Sequence, residues 1–110
     1  MMGPAHLVAQ QAEISPLSTT DATKAAEQLL SALQRHQGSA LHAKLATAVQ
    51  RSLSRHQVQQ RLNPRPAIRS SRVVGIASGY RTTAVNAVVQ TEQGDENLLF
   101  VLDDGGRLLA

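Results

Sequence analysis

The run Thr82-Thr83-Ala84-Val85-Asn86-Ala87-Val88-Val89-Gln90-Thr91 holds ten residues without Gly or Pro, and six of them are β-branched. Such side chains are stiff at χ1 and fit a pleated surface, so the run reads as a strand. One face carries Val85, Ala87 and Val89; the other carries Ala84, Asn86, Val88 and Gln90. A strand with one apolar face needs neighbours, and the flanking sequence supplies them. Asn97-Leu98-Leu99-Phe100-Val101-Leu102 is apolar on both faces. It is expected to be a strand covered on both sides, or one side of a dimer interface. Glu92-Gln93-Gly94-Asp95-Glu96 is a polar, Gly-containing loop of hairpin length. Asp103-Asp104-Gly105-Gly106 reads as a second turn, and Arg107-Leu108-Leu109-Ala110 begins a further strand. Upstream, Ser71 to Ala77 reads as a third strand, turned at Ser78-Gly79-Tyr80. The last third is therefore a meander of three strands and a stub.

The preceding sequence has helical periodicity. Ala22, Ala25, Ala26, Leu29, Leu30 and Leu33 fall at i, i+3, i+4, i+7, i+8 and i+11, one apolar stripe. Thr20 or Asp21 suits its N-cap, and Gly38 its C-terminal stop, with Arg35 in the last turn. A second helix is expected from Ser39, with Leu41, Leu45, Ala48 and Val49 as its stripe. Ser54 and Gln57 have the spacing of a capping box, and Leu53 and Val58 that of a hydrophobic staple. A short third helix therefore starts at Ser54 and buries Val58 and Leu62. Asn63-Pro64-Arg65-Pro66 ends it, because the residue before a proline avoids the α region.

The fold class is thus α+β, with two or three N-terminal helices packed on a curved antiparallel sheet of three to four strands. Residues 1–19, with Pro4 and Pro16 among small residues and Gln, read as a disordered tail, and 20–110 as a single α+β domain. A chain of 110 residues can bury a core of its own. That core must be aliphatic, since Tyr80 and Phe100 are the only aromatic residues, and the lack of Cys excludes disulfides and thiol chemistry. No apolar run approaches the ~18 residues of a membrane span, and the start lacks a basic leader region, which favours a soluble, cytoplasmic protein with no membrane contact.

Charge is segregated along the chain. Residues 35–81 carry nine cations and no acid, while five of the eight acids fall in residues 82–110. A basic middle between acidic ends is either compensated on folding or presented to a polyanion. The contacts for the second case are Arg51, Arg55, Arg61, Arg65, Arg69 and Arg72. Nucleic acid is the weaker expectation, because there is no aromatic platform for bases. His6, His36, His42 and His56 show no i, i+4 pairing, so no metal site is expected. Asp95, Asp103 and Asp104 sit in turns, where Asp is favoured for backbone reasons. No nucleophile elbow or phosphate loop is present, and no cofactor is expected.

The layout resembles the nuclear-transport-factor-like (cystatin-like, cone-shaped α+β) superfamily, in particular its small bacterial domains. The resemblance rests on Ala25-Ala26-Glu27-Gln28-Leu29-Leu30-Ser31-Ala32-Leu33, on Leu53-Ser54 with Gln57-Val58, and on the run from Leu98 to Leu108. It implies helix one along a concave sheet, a pocket between them, and homodimers formed through the sheet. Enzymatic members place Asp, Tyr or His in that pocket; the inward positions here are Ala, Val and Leu. The expected function is a non-catalytic binding or dimerisation module with an apolar pocket for a small ligand, its pocket or interface drawn from Leu29, Leu33, Val85, Val89, Leu98 and Phe100. A basic adaptor for nucleic acid or another polyanion is the alternative. A small enzyme of the same superfamily, using His42, His56 or Tyr80, is another.

Overall fold

Ser18 opens the first helix, α1 (Thr19–Gln34): its backbone is extended and its Oγ accepts from the Asp21 N–H at 3.0 Å. That bond satisfies one of the donors every helix start leaves unpaired. The cap thus lies two residues ahead of Thr20. This computed structural model describes residues 17–110. The expected tail over 1–16 lies outside the described residues, whereas Leu17 packs against the core and Thr19 is already helical.

The helix does not stop at Gly38. His36 takes the left-handed conformation, φ 53°, and the Gln37 and His36 N–H groups reach back to the Ala32 and Leu33 carbonyls at 3.1 Å. This is a Schellman closure with His in the place usually held by Gly. Gly38 has a different task. It begins α2 (Gly38–Ala43) and is buried against the last helix, where a Cβ would lie 2.9 Å from the Gln59 Cα. The glycine lets two backbones touch.

The second helix also departs from expectation. It breaks after Ala43, and a separate α3 (Thr47–Ser52) follows. The cause is the chain's own C-terminal stub. The Leu108 N–H donates to the Lys44 carbonyl at 2.9 Å, and the Ala46 N–H donates to the Leu108 carbonyl at 2.8 Å. Arg107 adds hydrogen bonds to the Ala43 and Leu45 carbonyls. Backbone groups that would close helical turns are used instead to hold the stub, which makes single bridges to Leu45 and Leu102 and not the further strand expected. Leu45 is buried by the break, while Ala48, expected in the stripe, is exposed. The fourth helix, α4 (Arg55–Leu62), starts as the sequence reads: Ser54 and Gln57 form both bonds of the capping box, and Val58 and Leu62 are buried; at its end Asn63, although it precedes Pro64, keeps helical dihedrals (φ −53°, ψ −42°).

The sheet is an antiparallel meander of β1 (Ile68–Ser78), β2 (Thr82–Thr91) and β3 (Gly94–Asp103), in that spatial order. β1 begins three residues earlier than expected, because Ile68 is buried and pairs with Thr91. Irregularities between Ile68 and Ser70 and between Val73 and Gly75 disturb the alternation that would have revealed it. The polar loop between β2 and β3 shrinks to Glu92-Gln93. Gly94 at φ 115° turns the chain at once into β3. Leu102 also bridges Leu108, so the stub lies beside β3.

α1 lies across β1 and β2. The small residues Ala22 and Ala26 are fully buried and let Leu29 meet Val85 and Leu102. Leu30 joins Ile68, Ala87 and Val89 in a second cluster, and Leu45, Val58 and Leu62 form a third among the shorter helices. Val85, Ala87 and Val89 all face α1, as the period of two requires.

Among the described residues no helix lies over the opposite face of the sheet. Its in-register rows read Ala77, Ala84 and Val101; then Gly75, Asn86 and Leu99; then Arg72, Val88 and Asn97. Val74 is 51% exposed and Leu99 61%. β3 is therefore covered on one face only.

Candidate functional site

α1 spans β1 and β2 but leaves the inner face of β3 half-covered. Leu98 and Phe100 point to the helical side yet are only partly buried. On that side α1 brings Leu29 and Leu33, α2 brings Leu41, and the C-terminal stub brings Leu108. With Leu99 at the β3 edge, Ala110 of the stub and Arg65, they line an open, mainly apolar cleft of about 240 Å³. A dry apolar cavity of roughly 150 Å³ is enough to hold benzene, so this volume takes an aliphatic body of about eight to ten carbons.

Arg65 is the one charged residue lining the cleft. It stands between Pro64 and Pro66 in the bend after α4, where its N–H donates to the Leu62 carbonyl at 3.0 Å, and its side chain reaches across to β3. There its guanidinium pairs with Glu96, with both side chains partly exposed. Its carbonyl accepts from His36 Nε2 at 3.2 Å, which ties the linker to the end of α1. Its Nε is buried and has no hydrogen-bond partner among the described residues. Guanidinium carries five donors, and a buried donor left unmet costs about 1–3 kcal/mol. His42 Nε2 is also buried without a partner, but His42 does not line the cleft.

Of the residues named from sequence, Leu29, Leu33, Leu98 and Phe100 converge on this cleft. Val85 and Val89 do not: both are fully buried in the core beneath α1. Leu41 and Leu108 line the cleft as well and were not among those named. Leu41 lay on the predicted stripe of the second helix, whereas nothing in a four-residue stub signals that Leu108 turns inward.

The six arginines named for polyanion contact spread over three elements and a linker. Arg51 is exposed on α3, Arg55 and Arg61 on α4, and Arg69 and Arg72 on β1. Among the described residues none of these five makes an ion pair, whereas Arg65 is held by Glu96. Arg81, at the turn between β1 and β2, pairs with Asp104 at 2.5 Å; the hydrogen bond to that carboxylate holds its guanidinium pKa above the ordinary value. Tyr80 stands 74% exposed at the same turn and His56 is exposed on α4, so neither enters the cleft, and His42 does not line it either. Among the described residues no three His, Asp or Glu side chains gather as metal ligands, and no helix is long and apolar enough to cross a membrane.

Other depressions are less suited to a ligand. Another, about 390 Å³, runs between α1 and the free edge of β1 and mixes Thr23, Glu27, Ser31, Gln34, Ser71 and Arg72 with Leu30 and Val73. Polar side chains outnumber apolar ones in its walls, whereas small-molecule sites draw their affinity from apolar walls with a few placed polar groups. The cleft beside β3 has that composition. Compared with known proteins, the chain matches no family model, no curated protein and no solved structure.

Proposed function

We propose that the chain is a non-catalytic binding module, which holds a small apolar ligand in the cleft between α1, α2 and β3. The observation that carries this reading is the set of half-buried aliphatic side chains around a concave space. Each would gain roughly 25 cal/mol for every Å² of apolar surface that a ligand removes from water. The N-terminal helices laid on a three-stranded meander also support placing the chain with the cone-shaped superfamily whose layout it resembles. 1-Octanol is a suitable neutral probe. It should raise the melting temperature and add its mass in native mass spectrometry, and Leu98→Trp, which fills the cleft from a strand position that tolerates aromatics, should abolish both effects. No stabilisation of the wild-type protein, or equal stabilisation of the filled variant, contradicts the reading.

The bare outer face of the sheet favours homodimer formation as part of the same module. A two-fold axis along β2 lays β1 of one copy over β3 of the other. Arg72, in register with Val88 and Asn97, then lies one row from Asp95 of the second copy, so the charges at the rim are complementary. Three strands of ten residues offer about 480 Å² per copy, near the lower limit for a specific interface. The unpaired arginines support a weaker, salt-sensitive attraction to polyanions. Retention on heparin at low salt that falls steeply as salt rises is the result it requires.

A further inference from the structure

We infer that the ligand of the cleft is an aliphatic carboxylate, with its chain among the leucines and its head group on Arg65. This inference rests on the cleft being a ligand site. Among the side chains that line the cleft one is charged, and that one is a guanidinium. Glu96 takes one of its N–H groups, while the buried Nε–H has no acceptor. A neutral alcohol oxygen can accept from a guanidinium N–H, but without charge. A carboxylate offers the guanidinium a charge-assisted bond, about twice as strong as a neutral one, and its two oxygens suit the planar N–H fork. The volume suits the same class, since an eight-carbon chain fills about 240 Å³.

Glu96 sets the competition. Its carboxylate occupies the guanidinium from the β3 side and repels a second anion beside it. A ligand carboxylate therefore binds against Glu96 and with Arg65. The two residues have opposite effects on a charged head group and little effect on a neutral one. That opposition separates this reading from simple apolar occupancy.

The test is calorimetric titration of the full chain at pH 8 with octanoate and, separately, with 1-octanol. Octanoate is expected to bind about 10- to 100-fold more tightly, the worth of hydrogen bonds to a charged group. Arg65→Gln should erase the difference. Glu96→Gln should widen it several-fold and leave octanol unchanged. Equal binding of both probes by the wild-type chain overturns the carboxylate assignment and leaves the apolar cleft standing. Binding of neither probe overturns both. Should Arg65→Gln fail to fold, the wild-type comparison and Glu96→Gln decide the matter without it. Octanoate affinity that falls as protein concentration rises would show a second copy seated in the cleft, which also contradicts the proposal.

Discussion

One side chain shows how the helical half is held. Gln59 Oε1 accepts from the Gly38 N–H at 2.7 Å, and its Nε2 donates to the His36 carbonyl at 2.9 Å and to Asn63 Oδ1 at 2.8 Å. It thus satisfies both sides of the left-handed turn that ends α1. Gln59→Ala leaves those backbone groups without partners and is expected to cost about 1–3 kcal/mol in urea unfolding. Gly38→Ala places a methyl group against the Gln59 backbone and is expected to cost about the same, from overpacking. Because each change disrupts the same contact, the double variant should lose less than the two losses combined. Strictly additive losses would show that the contact is not shared. In sequence Gly38 reads as a helix stop, because Gly after a helical stripe is the usual signal. The turn is made instead by His36, whose strain is offset by bonds from residues distant in the chain. No local pattern records that compensation.

At the scale of elements, the legible parts are those whose signals are local. The capping box of α4 was visible as Ser54 and Gln57, and its bonds form at 3.1 and 2.8 Å. Ser54→Ala should cost about 1 kcal/mol, and no change would mean that the cap is not used. β2 was legible from end to end because Val85, Ala87 and Val89 alternate without interruption. β1 was shortened in the reading because its bulges break the alternation at Arg69 and Val74. The single helix expected from Ser39 failed for a reason outside its own sequence: Leu108, more than sixty residues later, captures the backbone of Lys44 and Ala46. Removal of Arg107 to Ala110 should therefore abolish hydrogen-exchange protection at the Ala46 N–H. It should also weaken octanol binding, since Leu108 is one wall of the cleft. Protection that persists at Ala46 would contradict the account of the helix break. Half of the cleft was readable, namely the residues on α1 and β3, and the half contributed by Leu108 and Arg65 depends on where the stub and the linker fold back.

Across the whole molecule the two faces of the sheet have different consequences. Phe100 faces the helices and Leu99 faces away from them, although they are adjacent and both apolar. Phe100→Asp puts a charge among Leu33 and Leu98 and is expected to lower the melting temperature by at least ~10 °C. Leu99→Asp should leave the monomer's melting temperature within a few degrees and split a dimer in sedimentation velocity. Similar destabilisation by both would mean that the outer face is covered within one chain. The claim on which the functional account depends is the location of the ligand, and methyl-resolved NMR of the leucines and valines during octanoate titration addresses it directly. The account predicts shifts at the methyl groups of Leu33, Leu41, Leu98 and Leu108, with Val74 and Val101 on the outer face unmoved. Shifts confined to Val74 and Val101, or no shifts at saturating octanoate, would contradict it.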